Sequence, residues 1–427
     1  MEIRDTLRSG FQRAAVRTIV GYERVRTGYG FNPLDPRLYA DPYPIYRRLR
    51  AWDPLHRSYL MGGYVLTRYS DVLSVLHDER FSADDRNQRG FEKELERRRR
   101  RGLLEPDETP GISMLRSDAP DHTRLRKLVS KAFTPRAVRE LEPRIEQIVT
   151  QQLDAVAGSG RMDLIQQLAF PLPVIVIAEL IGVPSEDGDR FKHWSAEVVK
   201  AMGVTSIQDA RDSHRAGKEL QAYFETIAAE RRRDPRDDLM SGLLAAEEEG
   251  DHLTSEEVFS TLNLLLIAGN ETTTNLIGNG MLALLRNPDQ FERLHREPEL
   301  IDTAIDELLR YDGPVQATVR SALEDVEIEG KTIARGQSAV LILGAANHDP
   351  ERFAEPERLD LGREDNQHLG FGHGVHYCLG SNLARLEARY AIRALVERFP
   401  QMKLAIEEPV FRPNMVLRGL ESLPVHF

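Results

Sequence analysis

The chain turns on FGHGVHYCLGSNLAR, residues 371–385, which holds Cys378, the only cysteine among 427 residues. A lone cysteine has no internal disulfide partner and no companions for a zinc cluster. Two readings stand, an inert core thiol or a thiolate that does chemistry. The neighbours favour the second. Gly372, Gly374 and Gly380 let the backbone take positive φ and come close to something flat. Beyond Gly380, Leu383, Ala384, Leu386, Ala388 and Ile392 recur at helical spacing. Cys378 therefore lies just ahead of a helix N-terminus, where unpaired N–H groups and the helix dipole favour an anionic sulfur.

A single stabilised thiolate in a glycine-lined loop suits an axial ligand to haem iron. The run Phe371-Gly372-x-Gly374-x-His376-x-Cys378-Leu379-Gly380, followed by Ala384-Arg385, resembles the haem-binding signature of the cytochrome P-450 family. A buried cysteine in a glycine-rich turn would not call for His376 and Arg385 at these offsets. The resemblance runs from about Asp41 to the C-terminus. It implies a mainly α fold with small β-sheets and a haem b (iron protoporphyrin IX) ligated by Cys378. Phe371, Gly372, His376 and Gly380 would lie against that cofactor.

Composition excludes more than it assigns. The chain has 57 basic and 68 acidic residues and a net charge of −11, an ordinary balance for a soluble protein. No linker, repeat or low-complexity tract interrupts it, so residues 41–427 are expected to form one helix-rich unit. Residues 1–40 are expected to be a helical extension packed on that unit. In it Ile3, Leu7, Phe11 and Ala15 recur every four residues, with Arg4, Arg8, Arg13 and Arg17 elsewhere. This weakly basic, amphipathic pattern could lie on an anionic membrane surface, but packing on the body is the preferred reading. It is too polar to span a bilayer and lacks a secretory cleavage site, which points to the cytoplasm. The arginine run at Arg97–Arg101 reads as a solvated helix face rather than a nucleic-acid site, because the chain is acidic overall.

Further motifs fall in chain order. SYLMGGYVLTRY (58–69) has the pattern of a hairpin about Gly62-Gly63. His122 and Arg126 are four apart and share one helix face, and the resemblance makes them, with Arg320, binders of haem propionates. Phe191, Trp194, Val198 and Met202 lie on roughly one stripe that reads as simple core, whereas the resemblance makes this helix part of a mobile lid over the substrate. Thr254-x-x-Glu257 is a capping box opening a helix that continues to about Leu285. Its middle, AGNETT, contains glycine and threonines that disfavour a helix interior, so local propensity is overridden there. The resemblance makes this the oxygen-activating segment: Ala268 and Gly269 leave room above the iron, while Glu271 and Thr272 handle protons. Glu307-x-x-Arg310 resembles the family's structural pair, with Arg358 as the expected third partner and Arg363 as substitute.

The implied activity is a monooxygenase, one oxygen atom of O2 entering a medium-sized apolar substrate such as a fatty acid, terpenoid, steroid or polyketide. Electrons would come from NAD(P)H through an external ferredoxin and its reductase. A peroxide-driven peroxygenase or haem-thiolate isomerase would share the cysteine loop but need no proton relay. A haem sensor or carrier would lack a distal cavity.

Overall fold

The structure, a computed structural model, describes residues 2–104, 113–199, 207–248 and 254–427. Helix α1 spans Glu2–Thr27. Strands β1 (Leu55–Ser58) and β2 (Gly63–Leu66) then form a hairpin, pairing antiparallel from Leu55–Leu66 to Ser58–Gly63. It is shifted from the expected 58–69 stretch: the turn is 59–62, and Gly63 opens the second strand instead of sharing the turn with Gly62. β3 is short, Phe81–Ser82. Between it and α2 (Asp121–Val129), the arginine-rich segment forms the expected helix, Phe91–Arg100, with Glu96 paired to Arg100 and Glu94 to Arg98. Four-residue spacing on a solvated face is enough for that.

Helix α3 is Gly188–Val199. Phe191 and Trp194 on it are buried, as a core stripe requires, whereas Met202 lies outside the described residues. Helix α4 runs Ser255–Arg286, 32 residues, and begins with both halves of the Thr254/Glu257 capping box formed. At 1.5 Å per residue it is about 48 Å long, enough to cross the molecule. Its second half is buried nearly all round, through Leu276, Ile277, Met281, Leu282 and Leu284. It packs on α5 (Ile301–Asp312) and α6 (Ser381–Arg398). Gly280 permits the close approach: a methyl group there would sit 3.1 Å from Leu308 and 3.3 Å from Ile392.

The remaining strands of the main sheet are β4 (Ala317–Ala322) and β5 (Ser338–Ile342). The sheet order is β1–β2–β5–β4–β3, with only the β2–β5 pair parallel. β5 is buried along its length, as a central strand should be. The last strand, Pro424–His426, pairs with Arg161–Asp163 and Lys403–Leu404 in a second small sheet. No helix among the described residues is long and apolar enough to cross a membrane. Large helices with small sheets at the edge match the expected fold class.

Candidate active site

The cysteine loop is closed by its own backbone. The Cys378 amide donates to the Phe371 carbonyl at 2.9 Å, and Gly372 and Gly374 take φ of +69° and +70° within the closed turn. Gly374 is also sterically required, since a methyl group there would meet the Leu76 carbonyl oxygen at 2.6 Å. Arg385, on the first turns of α6, stacks its guanidinium 4.5 Å from the Phe371 ring centre and donates to Asp306 at 2.8 Å. The loop is thus fixed to α5 and α6 from behind.

Burial pushes the Cys378 thiol up, against smaller opposing effects from the Gly380 N–H and the charges of Arg126 and Arg385. The Gly380 N–H at the helix start does favour the anion, as expected, but it is outweighed. Desolvation outweighs one N–H and two nearby charges. The thiolate therefore calls for a further positive charge at sulfur, which a ferric iron supplies.

Four basic groups converge near this loop. His122 and His376 have ring centres 4.1 Å apart, and His122 Nε2 is buried without a hydrogen-bond partner. Arg126 donates to the Tyr377 carbonyl at 2.7 Å. Arg320 on β4 is 8% exposed and, among the described residues, donates to Thr318 Oγ1 and the Val319 carbonyl alone. Among the described residues no carboxylate hydrogen-bonds to any of the four. Burial, then the charges of Arg320, His122 and Arg126, lowers His376 to about 3. Burial likewise lowers His122 and Arg320, and Arg126 depresses His122 further. Asp118 lies close enough to offset part of the charge at His122 and Arg320, but a buried basic cluster with an orphaned nitrogen and no carboxylate bonded to it is costly as it stands. It fits an anionic group, and the propionates of haem b meet that need.

The centre of α4 supplies the other wall. Ala268 is exposed and Gly269 and Thr272 are half-exposed, although residues on both sides of them are buried. The helix therefore faces open space at its middle. The Thr272 hydroxyl donates to the Ala268 carbonyl at 2.6 Å, so its oxygen remains available as an acceptor. Glu271 is buried, bonded to Arg412 and, at 3.3 Å, to the Asn275 amide. Arg412 was not foreseen. It stands 141 positions away in the chain, and no spacing links the two.

Behind the loop, Glu307 and Arg310 are wholly buried and bonded twice, at 2.8 Å each. The third basic partner is Arg363, whose Nε reaches Glu307 at 3.0 Å. Arg358, the expected partner, instead directs its guanidinium to Glu355 at the surface, and only its carbonyl accepts from Arg310. The reason is geometric: Asp360 N–H and Asn366 also bond Glu307, so the chain reaches the carboxylate after Arg358 has passed.

A cysteine loop, a basic cluster fit for propionates and an open helix centre together define a haem-thiolate oxygenase. The chain belongs to the cytochrome P450 family, whose model, described as Cytochrome P450, matches residues 64–418. It is 42% identical over 397 residues to the cytochrome P450 monooxygenase PikC of Streptomyces venezuelae, covering 91% of each chain. It is 44% identical over 393 residues to a vitamin D(3) 25-hydroxylase of Pseudonocardia autotrophica, covering 91% of this chain and 94% of that one. Among solved structures it resembles the bacillaene polyketide synthase cytochrome P450 PksS of Bacillus subtilis, with TM-score 0.84 and 40% identity. That match covers 93% of this chain and 99% of the other. The protein is a cytochrome P450 monooxygenase that uses haem b and external redox partners.

Proposed function

We propose that this enzyme oxygenates a medium-sized apolar molecule, such as a fatty acid, terpenoid, steroid or polyketide, in the cytoplasm, with electrons from a ferredoxin and its reductase. Relatives named for polyketide biosynthesis and for vitamin D(3) hydroxylation support the substrate class. Residues 41–427 act as one catalytic unit, and residues 1–40 as its extension.

Haem b, held by Cys378, supplies oxygen activation when bound. The chain's own residues divide the remaining work. Arg126 and Arg320 neutralise the propionates, His122 and His376 hydrogen-bond them, and together they fix the orientation of the ring. Phe371, Gly372 and Gly380 line the sulfur side; Ala268 and Gly269 keep the opposite side open. Thr272 holds a proton at Oγ1 and accepts a hydrogen bond there, while Glu271 passes protons inward. Arg412, with its side chain 32% exposed, stands between buried Glu271 and the surface. Glu307, Arg310 and Arg363 hold the loop rigid from behind.

The observation that carries the oxygenase reading is the open centre of α4, where Glu271 and Thr272 adjoin Ala268 and Gly269. A library screened for substrate-induced spin-state change, followed by product analysis, tests it. Products are expected with O2, NAD(P)H and a ferredoxin system. Turnover of every hit with peroxide alone, and none with O2, would assign a peroxygenase instead.

A further inference from the structure

The C-terminal end of helix α1 is anchored to the body. From Ala14 to Thr27 only Glu23 is buried. Its carboxylate accepts from the Phe31 and Tyr59 amides at 2.8 and 3.0 Å and lies 2.7 Å from His56 Nε2. Val16, Ile19 and Val20, half-buried, lie on the same side of the helix as Glu23. The other side is uncovered. Ala14, Thr18, Tyr22 and Val25 follow at helical spacing and are all exposed, Tyr22 at 51% and Val25 at 84%. In the sequence, Ile3, Leu7 and Phe11 continue the same spacing toward the N-terminus.

At the root of α1 the stripe widens. The Tyr59 ring is 5.2 Å from that of Tyr22, in an edge contact, and Tyr59 is 38% exposed. Trp52, 67% exposed, abuts Gly28 just beyond the helix end. Exposed Arg17, Arg24 and Arg26 flank these groups. The helix carries six arginines against three acids, in a chain whose net charge is −11.

We propose that α1, with Trp52 and Tyr59 beside it, is a docking surface for an anionic lipid bilayer. The helix lies in the plane of the interface. Tyr22, Val25, Trp52 and Tyr59 enter the boundary between headgroups and acyl chains, and the arginines meet lipid phosphates. Tyrosine and tryptophan suit that boundary because each has an apolar body and a polar tip. A second copy of the chain is the poorer occupant, since pairing two such helices through this stripe sets arginines against arginines. The buried Glu23 anchor holds the stripe at a constant angle to the body, so docking would also orient the enzyme.

The haem-loaded full-length protein is mixed with vesicles of phosphatidylglycerol and phosphatidylcholine, or of phosphatidylcholine alone, and sedimented. Binding is expected only with the anionic vesicles, falling as salt rises from low to physiological. Arg17→Glu with Arg24→Glu should lower the bound fraction roughly tenfold or more at low salt. Tyr22→Ser with Val25→Ser should weaken it at unchanged charge. Haem content and melting temperature serve as fold controls, because all four residues are exposed. Trp52 emission, read in a Trp194→Phe background, should be quenched by brominated acyl chains. Absence of sedimentation at low salt, or binding unchanged in both double variants, overturns the proposal. Dimerisation abolished by Tyr22→Ser with Val25→Ser, without vesicle binding, overturns it in favour of a second copy.

Discussion

At Glu307 two guanidiniums share one carboxylate that has no access to water. Removing one partner of a buried ionic group costs about 3–5 kcal/mol, because the remaining charge stays desolvated. Arg363→Ala should therefore lower the melting temperature markedly and reduce haem retention. Arg358→Ala removes only an exposed pair with Glu355, and its effect should stay within about 0.5 kcal/mol. Differential scanning calorimetry of the two variants distinguishes them; equal losses would place the structural partner wrongly. Thr272 makes a different prediction. Its hydroxyl has one acceptor, the carbonyl of exposed Ala268, so Thr272→Ala leaves no buried group unpaired. Folding, haem binding and substrate binding should survive. What should fall is product formed per NAD(P)H consumed, with the missing electrons recovered as hydrogen peroxide. Full coupling in this variant would remove the hydroxyl from the proton path.

Helix α1 illustrates how an element can depend on pH through one residue. His56 is wholly buried, with Nε2 2.7 Å from Glu23 and Nδ1 3.0 Å from Asp53, which also pairs with Lys331 at 2.6 Å. Both ring nitrogens meet carboxylates, so the imidazole serves both only when doubly protonated. Burial works against that charge, but the hydrogen bonds to Asp53 and Glu23 and their charges outweigh it and hold His56 above its ordinary value. Burial opposes the anions too; His56 together with the Phe31 and Tyr59 amides at Glu23, and His56 together with Lys331 at Asp53, overcomes it and leaves both below theirs. A raised histidine contributes stability that is complete below its unfolded value and lost as pH rises through the folded one. The anchor should accordingly loosen above neutral pH, and also under acid as the carboxylates protonate. Amide hydrogen exchange at Phe31 and Tyr59, corrected for intrinsic rate, should accelerate on going from pH 7 to pH 9. In His56→Gln that extra dependence should vanish; if it persists, another group controls the anchor.

For the whole molecule, net charge and local charge oppose each other. The chain is acidic, yet α2 and the segment after it expose Lys127 and Lys131 near the cysteine loop. Arg124 and Arg389 were natural companions by position, but they are bonded to Glu257 and Asp302. We propose that these lysines, with half-exposed Arg126, steer an acidic ferredoxin. Association should slow as salt rises from low to physiological, and Lys127→Glu with Lys131→Glu should slow reduction severalfold. Stopped-flow reduction at two ionic strengths measures both; a rate indifferent to salt would move the docking site elsewhere.

What the sequence determined by itself was whatever its local order encodes. Phe371–Arg385 specifies a closed loop before a helix because its glycines, cysteine and first helical turn are neighbours in the chain. The α4 capping box and the Glu307/Arg310 pair were legible for the same reason, since partners three residues apart share one turn of helix; the β1–β2 hairpin was legible only as a hairpin, its turn falling earlier than expected. Only the tertiary structure decided that Arg363 rather than Arg358 meets Glu307, that Arg412 holds Glu271, and that Glu23 anchors α1 through His56. Those pairs lie 56, 141 and 33 positions apart. At such separations no spacing rule applies. Which guanidinium reaches a buried carboxylate is settled by how intervening loops pack, and the cost of leaving that charge unpaired enforces the outcome once they have.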